Sequence, residues 1–150
     1  MESKFVKAET IKEIKLTYDK ITQYSEIADL DSFLSYYDNS QDFLHISGDG
    51  QMRNYEAYKI ICADYYKALK KQNITTVQEK IQLIETNLAV MGWSGNIIAN
   101  FKNGDKMIMN NYSITSLFKK IDGKWKIIHA HESSLPSEII HQTVTKGAGF

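Results

Sequence analysis

The stretch from Asp122 to Ser133 reads Asp-Gly-Lys-Trp-Lys-Ile-Ile-His-Ala-His-Glu-Ser and is the most informative part of the chain. It opens on an Asp-Gly pair, which is typical of a tight hairpin turn, and continues as a strand. Because successive side chains of a strand point to opposite faces, five of them are expected to share one side. These are Trp125, Ile127, His129, His131 and Ser133. A strand face that ends in two imidazoles and a hydroxyl is typical of a cavity wall, since ordinary core strands are apolar.

The composition indicates a globular protein with enough apolar material for a core. The 150 residues are 43% hydrophobic and 24% charged, and 18 basic residues balance 18 acidic ones. We therefore predict a single domain over 1–150. Because neither sign of charge forms a long block, no nucleic acid and no membrane is expected as a partner. The N-terminus lacks an apolar signal core, so we expect a cytoplasmic location unless a signal peptide has been removed.

The first half of the chain has helical spacing. Apolar residues recur three and four positions apart in the first segment, which predicts a helix from about residue 4 to 25. Leu30 opens a short second helix with Asp29 as its N-cap, and Asn54 caps a third helix. Cys62 lies in the apolar stripe of that third helix. As the lone cysteine it cannot form an internal disulfide, and we predict a small core residue.

The second half changes to a two-residue period. A short strand is expected at 41–47 before the third helix, and Asn103-Gly104 and Asp122-Gly123 are hairpin signals in the region after it. They divide it into predicted strands near 75–91, 94–103, 106–120 and 124–135. Helices followed by an antiparallel meander predict an α+β fold with the helices on one face of the sheet. Which face of the strand at 107–118 looks inward is left open by the sequence.

Apolar residues occur on both faces of these strands. Ile97 and Ile98 point to opposite sides of one strand, and Ile128 and Ala130 oppose the histidine side of the last. Because a sheet with helices on one face usually keeps the other face polar, we expect a second copy to cover that face. The sequence thus predicts a homodimer through the outer face of the sheet.

The order of elements, together with Trp-x-x-x-His-x-His-x-Ser in the last strand, resembles the nuclear transport factor 2-like superfamily and within it the SnoaL-like group. The association domain of calcium/calmodulin-dependent kinase II ends in a similar strand. The resemblance implies a cone-shaped, cystatin-like fold, in which a strongly curved antiparallel sheet wraps around the N-terminal helices and leaves a pocket at its open end. Members include ketosteroid isomerases, polyketide cyclases, dehydratases and hub-forming association domains, so the fold does not decide the function.

The resemblance to the steroid isomerases can be followed residue by residue. The carboxylate base of those enzymes falls at about His45 here, and an imidazole can act as a general base because it titrates near neutrality. Their helix tyrosine falls on Ile21, with Tyr18 and Tyr24 one turn to either side. The central residues of the strand at 107–118 include no carboxylate to match their protonated acid. The isomerase constellation is therefore rebuilt or absent.

The candidate site follows from these patterns. Catalytic residues are unknown, with His45 and His131 as candidates. The predicted ligand-binding residues are His129, His131, Trp125, Tyr37, Tyr58, His45 and Tyr112. Neither a metal nor another cofactor is expected, because a His-x-His pair needs a third ligand. His45 or Glu132 could supply it only within about 2 Å of the metal, and Glu132 faces away unless the strand bulges.

Three functions fit this sequence. The favoured one is a dimeric protein with a pocket for a small, mainly apolar ligand. The alternative is an enzyme of the isomerase, cyclase or dehydratase kind that uses a pocket histidine as general base. The second alternative is an oligomerisation module, for which a collapsed cavity would be expected.

Overall fold

Three helices pack inside one curled sheet in the computed structural model, which describes residues 3–143. The helices are α1 (Lys4–Glu26), α2 (Leu30–Leu34) and α3 (Tyr55–Ala68). The strands are β1 (Leu44–Ile46), β2 (Met52–Arg53), β3 (Leu69–Glu85), β4 (Leu88–Phe101), β5 (Lys106–Ile121), β6 (Lys124–Ser133) and β7 (Glu138–Ile140). The sheet order is β2-β1-β6-β5-β4-β3, and β7 pairs with the part of β5 that β6 does not reach. Among the strands of residues 3–143, only β1 and β6 pair in parallel, so the predicted α+β cone with an antiparallel-dominated sheet is confirmed.

Side-chain caps set where the shorter helices begin. The Asp29 carboxylate accepts a hydrogen bond from the Ser32 backbone N–H at 3.1 Å, and the Asn54 side chain accepts one from Ala57 at 3.0 Å. Such caps satisfy first-turn donors that have no partner within the helix, and each typically contributes about 1 kcal/mol. Both predicted caps are confirmed. Within residues 3–143, none of the helices combines the length and apolar character that crossing a membrane requires.

The hairpin between β3 and β4 turns at residues 86–87, whereas the sequence suggested a turn near 92–93. Trp93 instead lies within β4, and its indole Nε1 donates to the Thr76 hydroxyl at 2.9 Å. Gly95, two residues beyond this tryptophan, provides room for its ring. A Cβ atom at Gly95 would overlap the Trp93 ring, so the residue is needed for close packing.

A β-bulge interrupts the last long strand. Ile127 of β6 pairs with Phe118, but the next paired residue is His129, opposite Leu117. Ile128 is therefore an extra residue on β6. A bulge of this kind places two residues opposite one and reverses the in–out alternation for everything beyond it.

A second bulge does the same in β5. Met109 pairs with Ile97 of β4, whereas Tyr112 pairs with Gly95, so β5 contains one more residue than β4 between these pairs. Asn111, inside the bulge, has φ 55°, a left-handed conformation that Asn tolerates better than most residues. Met109 before the bulge and Tyr112 after it consequently both reach the inner face, although one has an odd and the other an even sequence number.

Trp125 joins β6 to the first helix. Its ring is 4% exposed, and Nε1 donates to a carboxylate oxygen of Glu13 on α1 at 3.1 Å. The Lys120 ammonium lies at 3.1 Å from the same oxygen. The hydrogen bond from Trp125, followed by the one from Lys120, holds the pKa of Glu13 below its ordinary value. This contact fixes α1 against the sheet and so shapes one side of the space between them.

Candidate functional site

A cavity of about 260 Å³ lies between the helices and the inner face of the sheet. Its surface is mainly apolar, and aromatic rings from every layer contribute to it. Among them are Tyr18 of α1, Tyr58 of α3 and Trp93 of β4. Concave, mainly apolar cavities with a few polar groups are the usual form of small-molecule sites.

His45 is the most deeply buried ionisable group of this cavity, with no exposed surface. It lies on β1, which pairs with β2 on one side and with β6 on the other. The Tyr58 ring packs against the imidazole with 4.2 Å between the centroids. Among the described residues, neither ring nitrogen has a hydrogen-bond partner. A buried polar group without a partner is costly, so an unpaired imidazole facing a cavity indicates a site that is completed by something else.

Glu132 is the carboxylate that accompanies His45. Its Oε2 lies 3.4 Å from His45 Nε2, close enough for an ion pair when the imidazole is protonated but outside good hydrogen-bond geometry. The side chain is 21% exposed and lines the cavity. The bulge at Ile128 is the reason, because it turns Glu132 to the inner face. The cavity thus holds an imidazole and a carboxyl group side by side.

The hydroxyl groups around this pair remain protonated. Burial, followed by the negative charge of Glu132 and a hydrogen bond to it, raises the pKa of Tyr112 well above its ordinary value. Burial likewise raises the pKa of Tyr37 and of Tyr58. Burial is also the main reason why the pKa of the Cys62 thiol rises to about 12. Tyrosines here can donate hydrogen bonds but do not ionise, and the cysteine is not a thiolate nucleophile at neutral pH.

The structure brings four of the predicted ligand-binding residues to the cavity wall. They are His45, Tyr37, Tyr58 and Tyr112. For β5 it also answers which face looks inward, because Tyr112 and Ile114 line the cavity beyond the bulge and Met109 lines it before the bulge.

The prediction that the His-x-His pair lines the cavity is wrong. His129 pairs with Leu117 and His131 with Thr115, and both imidazoles lie on the outer face of the sheet, the first half-buried and the second exposed. The alternation expected from Trp125 onward breaks at Ile128, so the even-numbered residues beyond it face inward. His131 is therefore not placed to act as a proton shuttle in this cavity.

Trp125 is also absent from the cavity wall. It faces inward as predicted, but its indole packs in the core and donates to Glu13 on α1. On α1 itself, Ile21 and Tyr18 line the cavity, whereas Tyr24 stacks on Tyr36 with 6.1 Å between the ring centroids. The tyrosine position of the steroid isomerases is thus filled by an isoleucine.

Sequence reasoning missed several polar residues of the cavity, three of which matter most for its chemistry. Ser25, Gln72 and Glu132 all line it, and the first two are at most 9% exposed. The only sequence signal for Glu132 was the adjacent pair Ile127-Ile128, two apolar residues in a strand that otherwise alternates. Ser25 and Gln72 are common residue types with no local pattern, and only the packing of α1 against β3 makes them neighbours. Within residues 3–143, no group of three or more metal-ligating side chains converges, so His45 and Glu132 lack a third protein ligand.

Comparison with models of known protein families identifies the family of this chain. The family model described as a SnoaL-like domain matches residues 14–138, most of the chain. The chain belongs to the SnoaL-like family. The resemblance found in its sequence is thereby confirmed. A search of curated protein sequences finds no match to this SnoaL-like chain.

Solved structures share its fold. A protein from Novosphingobium aromaticivorans, provisionally named a scytalone dehydratase, has a TM-score of 0.81 and 11% identity over 99% of both chains. A type 2 hexachlorocyclohexane dehydrochlorinase has a TM-score of 0.74 and 9% identity over 96% of the SnoaL-like chain and 99% of its own. A protein from Exiguobacterium sibiricum, provisionally named a calcium/calmodulin-dependent kinase II association domain, has a TM-score of 0.69 and 16% identity over 91% and 98%. Identities this low show the fold alone.

Proposed function

We propose that this protein binds a small, mainly apolar molecule in the cavity and that His45 removes a proton from one of its carbon atoms. One observation carries the proposal: the imidazole of His45 is fully buried, faces a mainly apolar cavity and has no hydrogen-bond partner among the described residues. A neutral imidazole has one nitrogen lone pair that can accept a proton. A substrate carbon placed against it would supply that proton.

Glu132 is suited to support the transfer. When the C–H bond breaks, its electron pair stays on the substrate, the proton forms an N–H bond to the imidazole, and His45 becomes positive. A carboxylate oxygen 3.4 Å from Nε2 stabilises that charge, and the attraction is stronger in an apolar cavity than in water. The electron pair then takes the proton back at a different atom, which is isomerisation, or expels a leaving group, which is elimination.

The relatives and the cavity favour this function over the alternatives. Two of the similar structures carry the names dehydratase and dehydrochlorinase, and both reactions remove a proton and a leaving group from neighbouring atoms. An association module needs no such pair of groups in an open cavity of about 260 Å³. The dehydratase-type alternative from the sequence is thus favoured, with His45 as the base.

The test is deuterium exchange into a set of small neutral ketones, followed by proton NMR in deuterium oxide. The wild-type protein should accelerate the loss of the proton beside the carbonyl. His45→Gln keeps a polar side chain but removes the base, and it should slow catalysed exchange by about a hundredfold or more, as is typical for a general base. His141→Gln is the matched control, because His141 is exposed and lies outside the cavity.

Two results would count against the proposal. If His45→Gln exchanges ketone protons as fast as the wild type, His45 is not the base. If no ketone that raises the melting temperature of the wild type undergoes exchange, the cavity binds such molecules without this chemistry.

We also infer that the protein is a homodimer that pairs through the outer face of the sheet. Ile98 is 39% exposed on that face, and its cross-strand partner Ile108 is half-buried beside it. Val90 and Leu117 form a second cross-strand apolar pair on the same face, further along β4 and β5, and His129 of β6 lies beside Leu117. Apolar side chains that continue from strand to strand are typical of a surface that another protein covers. A symmetric pair would use the same face of both copies.

A further inference from the structure

A second polar group of the cavity lies away from His45, where α1, α3 and β3 meet. Ser25 of α1, Tyr65 and Tyr66 of α3 and Gln72 of β3 all line the cavity. Ser25, Tyr66 and Gln72 are each at most 9% exposed. The rings of Phe33, Tyr37 and Tyr58 form a chain of contacts between Tyr66 and His45. The cavity therefore has two polar groups with aromatic surface between them.

The hydrogen bonds of this second group are well defined. The Gln72 amide donates to the Ser25 carbonyl at 3.1 Å and to the Ser25 hydroxyl at 2.7 Å. Its carbonyl oxygen accepts from the Tyr65 hydroxyl at 2.8 Å, and the Tyr66 hydroxyl lies 2.9 Å from Ser25 Oγ. The Ser25 carbonyl fixes the orientation of the amide, because a backbone carbonyl can only accept.

Counting hydrogens shows that one is left over. Three hydroxyls and one amide carry five hydrogens, and the four hydrogen bonds between these residues use four of them. If Tyr66 donates to Ser25, the Ser25 hydrogen is left; if Ser25 donates, the Tyr66 hydrogen is left. Among the described residues, no further acceptor takes it. In either arrangement the group presents one hydrogen-bond donor at the cavity wall.

The electrostatics of the cavity select the kind of acceptor that fits this donor. Of the described residues that line the cavity, none is Lys or Arg, and Glu132 brings a carboxylate into the same space. An anionic ligand would meet that charge in a poorly screened environment and have no cation to pair with. A neutral oxygen with lone pairs can accept the hydrogen bond without this electrostatic cost.

From this we propose that Ser25, Tyr66 and Gln72 form a specificity subsite that binds a carbonyl oxygen of a neutral, mainly apolar substrate at a point remote from the carbon atom that His45 deprotonates. The inference rests on the proposed function, since the same cavity would hold the substrate for both, and it narrows the substrate class to neutral carbonyl compounds. A site built around a hydrogen bond discriminates strongly against an analogue that lacks the partner, because the donor is then left unpaired.

Gln72→Glu tests the donor count with almost no change of shape. As a carboxylate, Glu has two hydrogens fewer than Gln, and as a carboxylic acid it has one fewer. Either form removes the surplus hydrogen, so the donor is lost whatever the protonation state. Gln82→Glu is the matched control, since Gln82 is exposed and lies on the same strand.

The probes are β-tetralone and tetralin, which share a fused-ring skeleton and differ in the carbonyl. The wild type should bind β-tetralone more tightly than tetralin, and Gln72→Glu should reduce that preference about tenfold, the value of one hydrogen bond. Gln82→Glu and His45→Gln should keep the preference. Equal wild-type affinity for the two probes, failure of both to bind, or an unchanged preference in Gln72→Glu would each overturn the subsite.

A measurement on the wild type keeps the inference testable if Gln72→Glu does not fold. The carbonyl stretching frequency of bound β-tetralone, read by infrared spectroscopy, should lie below its value in a hydrocarbon solvent in both the wild type and His45→Gln. A carbonyl frequency in the wild type that matches the hydrocarbon value would show that the subsite donates no hydrogen bond to the carbonyl. A frequency that is lowered in the wild type but returns to the hydrocarbon value in His45→Gln would show that His45 makes the hydrogen bond instead. If the wild type binds β-tetralone in preference to tetralin but exchanges no ketone proton, the proposed reaction alone is contradicted. If the wild type exchanges ketone protons but shows no carbonyl preference, the subsite alone is contradicted.

Discussion

Burial shifts the pKa of tyrosines on the inner face of the sheet and of a histidine on its outer face in opposite directions. On the inner face it raises the pKa of tyrosines such as Tyr58 and Tyr112, so their hydroxyls stay neutral donors. On the outer face it lowers the pKa of His129 from the ordinary value of 6.5, and electrostatic interaction with the neighbouring imidazoles of His131 and His45 acts in the same direction. Both effects favour the uncharged form, as desolvation does in general.

His129 should therefore make folding stability depend on pH. Because its folded pKa lies below that of the unfolded chain, the unfolded chain takes up the proton first as the pH falls. The contribution is complete above about pH 6.5 and is lost as the pH falls through the folded pKa. His129→Gln should consequently lose less stability than the wild type between about pH 8 and pH 5. Urea unfolding at several pH values would measure this.

His141→Gln serves as the control for that experiment, because His141 is an exposed histidine at the other end of the sheet. Its unfolding free energy should follow the wild-type pH profile. If the unfolding free energy of His129→Gln changed with pH as steeply as that of the wild type, the environment of His129 in the folded protein would not disfavour its charge.

At the scale of elements, local signals predicted the helices well and the inner faces of the strands poorly. Asp29 and Asn54 are caps whose partners lie three residues away, so the sequence alone is enough to identify them. The hairpin at Asp122-Gly123 is likewise local. A bulge differs, because the extra residue at Ile128 is defined only by its partners on β5. The family resemblance was enough to predict the cavity. The inner position of Glu132 and the outer position of His131 depend on this bulge and were therefore not predicted.

The bulge in β6 leads to a prediction about deletions. Ile128 and His129 together occupy one position of the pairing, so removing Ile128 leaves His129 outside and Ala130 and Glu132 inside. Removing Ala130 instead moves an imidazole into its place, which is 2% exposed, whether or not the bulge persists. An unsatisfied polar group buried there costs about 1–3 kcal/mol.

The Ala130 deletion should therefore melt at a lower temperature than the Ile128 deletion and should bind β-tetralone less tightly. Calorimetry of the two variants, which have equal length, compares them directly. A lower melting temperature for the Ile128 deletion would mean that the bulge stabilises the strand for a reason other than deciding which side chains of β6 point to the inner face.

At the scale of the whole molecule, the curl of the sheet creates two surfaces with different chemistry. The concave surface encloses the His45–Glu132 pair and the Ser25–Gln72 group in one cavity. The convex surface presents Ile98 together with half-buried neighbours. Because the two surfaces are opposite sides of the same strands, a copy packed on the outside would hold the strands that carry Glu132 in place without entering the cavity.

The dimer proposal makes a prediction at this scale. Ile98→Lys places a charge within the proposed contact, where an unpaired buried charge is strongly unfavourable. Sedimentation equilibrium should give the dimer mass for the wild type and a monomer mass, at the same concentration, for Ile98→Lys. Leu16→Lys is the matched control, since Leu16 is 54% exposed on α1 and should leave the dimer intact. A wild-type protein that remains monomeric at every concentration tested would remove the outer face as an interface, while the cavity and its two polar groups would be unaffected because all their residues come from one chain.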